Sequence, residues 1–388
     1  MEFDLVWILL GLPLVFMLGW GASRLDLRQL RAQNRDAPKA YFKGLNFLLN
    51  EQQDQAIDAF IEAVQNDPDT SELHFALGNL FRRRGEYDRA VRVHEHLLSR
   101  GDLSGADRDR AQHALALDYL KAGLLDRAED ALARLEGTAF EGQARLARLA
   151  IFERSRDWPQ AAEVARKMHL AGQGDFSTRQ AHYLCEQAHS ERTAGNTSAA
   201  ITLLEQALSA APQAARPHIE LARLAQQAGD TTRALALLRE LGEQAPSALP
   251  LAAALLTEIA RESGRESEVL ALLQAHYAQG PSLDVLDAIV DLSERAGAAP
   301  ADQGESRMWY LRHLEHEPSL VAAAKWLAGE RLEHEEFHPQ IQAALDTAAR
   351  PLTRYRCAAC GFEARQHFWH CPGCQAWDSY PAQRVEEL

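Results

Sequence analysis

Read for its hydrophobic and polar positions, the chain divides into three. From Leu5 to Ser23 there are 19 consecutive uncharged residues, mostly Leu, Val, Ile, Phe and Trp. As a helix they would span about 28 Å, close to the hydrocarbon thickness of a bilayer. Trp7 and Trp20 lie near the two ends, where indoles prefer the membrane interface. Glu2 and Asp4 precede the stretch, and Arg24, Arg28, Arg31 and Arg35 follow it. That charge order is the reverse of a cleaved signal peptide and places the bulk of the chain on the cytoplasmic side. The pattern predicts a transmembrane anchor over 1–23 and a basic juxtamembrane linker over 24–36.

The middle repeats. Gly44 and Gly78 are 34 residues apart, and so are Ala56 and Ala90. The same phase continues through Ala128, Ala161, Ala200, Ala234 and Val269. Five residues before these positions stand Gly85, Gly123, Gly195, Gly229 and Gly264, absent only from the first and fourth units. Glycine there suits a left-handed turn ending one helix before the next begins. Pro68, Pro212, Pro246 and Pro281, twelve residues after the small residue, close second helices. This is the pattern of a tetratricopeptide repeat. Seven units fill about 37–283, and residues 284–350 are helical in composition but lose the phase. Such units bury their apolar stripes only against neighbours, which predicts an all-α solenoid over 37–350 with a concave, protein-binding face.

The third part, 351–388, holds four of the five cysteines. Cys357-Ala-Ala-Cys360-Gly361 is followed, ten residues on, by Cys371-Pro372-Gly373-Cys374. Two CxxC pairs present four thiolates tetrahedrally, a closed site suited to zinc or iron. So short a segment lacks an adequate apolar core. Metal binding, on the order of 10 kcal/mol, would supply its folding energy. Tyr355, Phe362, Phe368, Trp369 and Trp377 would form a small aromatic core or dock on the solenoid. His367 and His370 flank the knuckles; four cysteines suffice, so these histidines would support or lie outside the ligand set.

Charge changes the picture in one respect. Acids outnumber bases 55 to 41, a net −14, which excludes a dedicated nucleic-acid binder. The concave positions of the fifth and sixth units run against that balance. Counting the second, fifth, ninth and twelfth residues of each first helix gives His182, Cys185, His189 and Arg192, then Arg216, Ile219, Arg223 and Gln226. The reading expects His182, His189, Arg192, Arg216 and Arg223 to face a partner's acidic segment.

Anchor, repeat array and terminal module together resemble the lipopolysaccharide assembly protein B family (LapB, also YciM). Matching residues in the module are Tyr355, Cys357, Cys360, Gly361, Phe362, Trp369, His370, Cys371, Pro372, Cys374 and Trp377. The resemblance implies a rubredoxin-like module packed on the solenoid, and an inner-membrane protein with its soluble part in the cytoplasm. It also implies promotion of LpxC deacetylase degradation by the FtsH protease, under restraint from a YejM/PbgA-type membrane regulator. The spacer between the CxxC pairs is shorter than in rubredoxins, which speaks against electron transfer. A tethered scaffold for lipopolysaccharide enzymes is the alternative, and homo-oligomerisation stays open.

Enzymatic signals are weak. His334-Glu335-Glu336-Phe337-His338 matches HExxH, but Pro339 is expected to end or kink the helix there, and no third ligand follows. A solvated face rich in Glu and His accounts for the match. Asn196-Thr197-Ser198 reads as turn chemistry, and Cys185 as a packed free thiol. The chain is expected to have no catalytic residues.

Overall fold

The computed structural model describes residues 16–17, 42–66, 70–296, 303–330 and 335–388. The expected anchor and linker lie outside the described residues except for Phe16 and Met17, and Pro68 is likewise outside. Among the described residues no helix is long and apolar enough to cross a membrane. The chain forms two compact units, Met1–Ser155 and Arg156–Leu388.

In the first unit, α1 (42–49) is followed by α2 (Gln53–Asn66), α3 (Ser71–Arg84), α4 (Tyr87–Ser99), α5 (Gly105–Ala122), α6 (Leu125–Ala133) and α7 (Glu141–Ser155). The 34-residue period is visible in the packing. Gly44 lies against the Phe60 ring and Gly78 against the His94 ring, so close that an added Cβ would sit 2.8 Å and 2.5 Å from ring atoms. Glycine thus lets a second-helix side chain cross beneath the first helix, with Phe60 and His94 equivalent in the two units. Ala56, Ala90 and Ala128 are fully buried at the helix contacts.

The second unit continues with α8 (Trp158–Leu170), α9 (Ser177–Thr193), α10 (Thr197–Ala210), α11 (Ala215–Gln227) and α12 (Thr231–Gln244). A 3-10 turn, Pro246–Ala252, then leads to α13 (Ala253–Ser263), α14 (Glu266–Tyr277) and α15 (Leu283–Ala296). Beyond the regular repeats come α16 (Gln303–His316), α17 (Leu320–Leu327), a 3-10 turn Glu335–Phe337 and α18 (His338–Ala349). Ala161, Ala200, Ala234 and Val269 are buried as their phase requires.

The inter-helix turn is more uniform than the glycine pattern. Gly85, Gly123, Gly195, Gly229 and Gly264 have φ from 65° to 86°. Glu51 and Arg156, in the two units without glycine, hold the same left-handed conformation at 59° and 58°. Next to six of these seven residues, Gln52, Glu86, Leu124, Asn196, Asp230 and Arg265 each donate an N–H to the carbonyl five residues earlier, at 2.9 Å. That bond closes the preceding helix. The position therefore dictates the backbone, and two side chains tolerate it at a cost of about 1–2 kcal/mol each.

Candidate metal centre and groove

The metal module is built from two equivalent knuckles. In the first, Gly361 N–H donates to Cys357 O (2.8 Å) and Cys357 N–H to Phe362 O (2.9 Å). In the second, Gln375 N–H donates to Cys371 O (2.9 Å) and Cys371 N–H to Ala376 O (2.9 Å). Gly361 (φ 77°) and Gln375 (φ 60°) make the left-handed turn after each second cysteine. The short antiparallel strands β1 (Tyr355–Arg356) and β2 (Glu363–Ala364) flank the first knuckle.

These turns bring Cys357, Cys360, Cys371 and Cys374 together with all four sulfurs within 4.8 Å of one another. Across the knuckles, Cys357 and Cys374 are 3.8 Å apart and Cys360 and Cys371 3.7 Å. A tetrahedron with metal–sulfur bonds of about 2.3 Å has edges of about 3.8 Å, so the sulfurs fit a zinc- or iron-sized ion. The pKa of the first thiol of each knuckle is lowered. Burial opposes ionisation of Cys357, but the Ser379 hydroxyl and the Cys360 and Ala359 amides outweigh it and bring the thiol down to about 6. Cys371 is likewise lowered, against burial, by the Cys374 and Gly373 amides. A cation held by these four residues would supply folding energy, and it would leave no ligand position for substrate.

Three sets of contacts fasten the module to the helices of its own unit. First, Trp377 stacks on His182 (5.0 Å) and His370 (4.3 Å) and meets Tyr183 and Trp158 edge-on. His182 Nε2–H donates to Asp378, whose two carboxylate oxygens both lie at 2.8 Å. Second, Arg384 grips Asp284 through Nε (2.9 Å) and Nη2 (2.6 Å) and covers the Tyr355 ring at 3.9 Å, while Tyr355 donates its hydroxyl to Asp284. Third, Glu386 and Glu387 close two helices. Glu386 accepts from Leu320 N (2.5 Å) and Ser319 Oγ (2.7 Å) at the start of α17, and Glu387 accepts from Leu283 N (2.6 Å) at the start of α15. Carboxylates there satisfy amides that no helix bond can reach.

Of the expected aromatic cluster, Trp369 and Trp377 dock and Tyr355 is buried, but Phe362 is largely exposed beside Gly373 and does not join a core. His367 Nε2–H donates to the Tyr380 carbonyl at 3.0 Å, and burial lowers its pKa.

The five groove residues separate into two groups. His182 is buried under the module. Arg216 is buried between Glu186 (2.9 Å) and Glu220 (2.6 Å); burial works against its charge, and Glu220 above all keeps it protonated. Neither faces a partner, because counting along one helix cannot register what covers it from another element. Cys185 and Ile219 are buried too. His189, Arg192 and Arg223 stay exposed and converge on one cavity between α9, α10 and α11.

The HExxH segment is not one helical turn. Glu335–Phe337 is a 3-10 turn and α18 starts at His338; His334 is outside the described residues. Pro339 begins this helix rather than ending one, since a first-turn proline forfeits no helix bond. His338 Nε2 lies 3.1 Å from the Leu327 carbonyl.

Comparison with known proteins matches residues 355–380 to the rubredoxin metal binding domain, and residues 73–108 and 191–259 to tetratricopeptide repeats. Lipopolysaccharide assembly protein B of Escherichia coli K12 is 30% identical over 379 residues, 96% of each chain. The protein of that name from Haemophilus influenzae is 25% identical over 393 residues, again 96% of each. Among solved structures, a tetratricopeptide repeat protein from Parabacteroides merdae overlays with a TM-score of 0.33 at 16% identity, covering 66% of this chain and 98% of that one.

Proposed function

The chain belongs to the lipopolysaccharide assembly protein B family, and on that premise we propose that it is a membrane-anchored adaptor, without catalysis of its own, that brings the LpxC deacetylase to the FtsH protease. The observation that carries this reading is the joining of a repeat array to a closed four-thiolate module in one unit. Repeat arrays of this kind present surfaces to proteins, and a site with every position taken by cysteine has nothing to offer a substrate. The uncharged stretch Leu5–Ser23 with its following arginines supports a single pass through the inner membrane and a cytoplasmic bulk. A YejM/PbgA-type regulator would then act from within the same membrane.

Depletion of the protein tests the proposal. LpxC half-life should lengthen several-fold when the protein is removed, and re-expression of the intact chain should restore rapid turnover. An unchanged half-life, with lipopolysaccharide assembly still impaired, would instead identify a scaffold that organises the synthetic enzymes.

A further inference from the structure

The cavity between α9, α10 and α11 measures about 170 Å³. Its floor is apolar and buried: Ala188, Ala200, Leu204 and Leu224. Its rim is exposed and cationic. Arg192 Nη2 contacts only the ring nitrogen of its neighbour His189 (3.2 Å), and Arg223 pairs with no carboxylate among the described residues. Glu220 also lines the cavity, but Arg216 already occupies its Oε1. Two guanidiniums lacking a carboxylate partner, facing one small hollow in a chain of net −14, call for an anion.

We propose that this cavity binds the last residue of a partner polypeptide, its terminal carboxylate on Arg192 and Arg223 and its apolar side chain toward the floor. The volume is near that of a cavity that holds benzene, about 150 Å³, so it admits one side chain and no cofactor. The vertical order selects the occupant. An internal Glu or Asp entering from solvent would carry its charge down to the leucines and leave its methylenes among the arginines. A neighbouring apolar residue cannot repair this, because successive side chains of an extended strand point to opposite sides. A chain terminus carries the carboxylate and the apolar group on one residue, in the order the rim and floor require. Guanidinium forks suit a carboxylate bidentately. This rests on the reading of the chain as a protein-binding adaptor, and adds which part of a partner it holds.

Full-length protein in detergent should be titrated with N-acetylated, fluorescein-labelled hexapeptides ending in leucine, followed by anisotropy. The free-acid peptide should bind saturably. The C-terminally amidated peptide, and a peptide with an internal Asp-Leu pair and an amidated end, should each bind at least tenfold more weakly. Arg192→Gln with Arg223→Gln should weaken the free-acid peptide at least tenfold without shifting Tm. The proposal is overturned by no saturation up to about 1 mM, by amide or internal-acid peptides within twofold of the free acid, or by a double variant within twofold of wild type. None of those outcomes would alter LpxC half-life on depletion, so failure here is separable from failure of the adaptor reading.

Discussion

Two histidine–aspartate contacts, one in each unit, show how differently the same chemistry is used. In the first unit, His94 Nδ1 and Asp118 Oδ2 are 2.5 Å apart with both side chains wholly removed from water, and Arg82 adds a second bond to Asp118 at 2.8 Å. Among the described residues His94 Nε2 has no hydrogen-bond partner, and it faces Gly78. In the second unit, His182 is equally buried, but Asp378 keeps 46% of its side chain exposed. The first contact is a sealed element of helix packing, where losing one member strands the others. The second has water at one end and costs little to break alone. It reports whether the metal module is seated.

The largest effect should come from unseating the module outright. Cys371→Ser is expected to reduce metal content from about one ion per chain to near zero. The Asp378, Asp284, Glu386 and Glu387 contacts should be lost together, while the His94 network stays intact. Elemental analysis with hydrogen exchange resolved along the sequence would show protection falling in α15 and α17 and holding in α3–α5. Retained metal would refute the four-thiolate assignment. Next, Asp118→Ala should destabilise the first unit by about 3–5 kcal/mol in denaturant melts, since it leaves the buried His94 and Arg82 uncompensated. Asp378→Asn should cost under about 1 kcal/mol, as befits a contact with an exposed partner; a loss as large as that of Asp118→Ala would erase the distinction. Smallest, and of opposite sign, Arg156→Gly should stabilise by up to about 1 kcal/mol by relieving the left-handed backbone. A destabilising outcome would mean that the arginine side chain contributes more than its backbone costs.

How much of this could be read from the sequence depended on the range of the signal. The alanine register and the cysteine knuckles were legible because each is enforced within a few residues, by a helix contact or a tight turn. The turns at Glu51 and Arg156 left no glycine to read, because the penalty they carry is small enough for tertiary packing to override. Asp378, Arg384, Glu386 and Glu387 are not legible for a different reason: the helix residues they hold lie 65 to 196 residues away. Counting along one helix puts His182 and Arg216 in the groove. The module covers His182, and α9 and α11 themselves supply the glutamates that claim Arg216.

The position of Glu386 and Glu387 sets a condition on synthesis. A ribosome delivers α15 and α17 long before these two carboxylates, yet the first amides of both helices are completed by them. The second unit therefore reaches its final form only after Glu386 and Glu387 have left the exit tunnel. A product ending at Val385 would carry all four cysteines and still lack both caps, so its α15 and α17 would start on amides left to water.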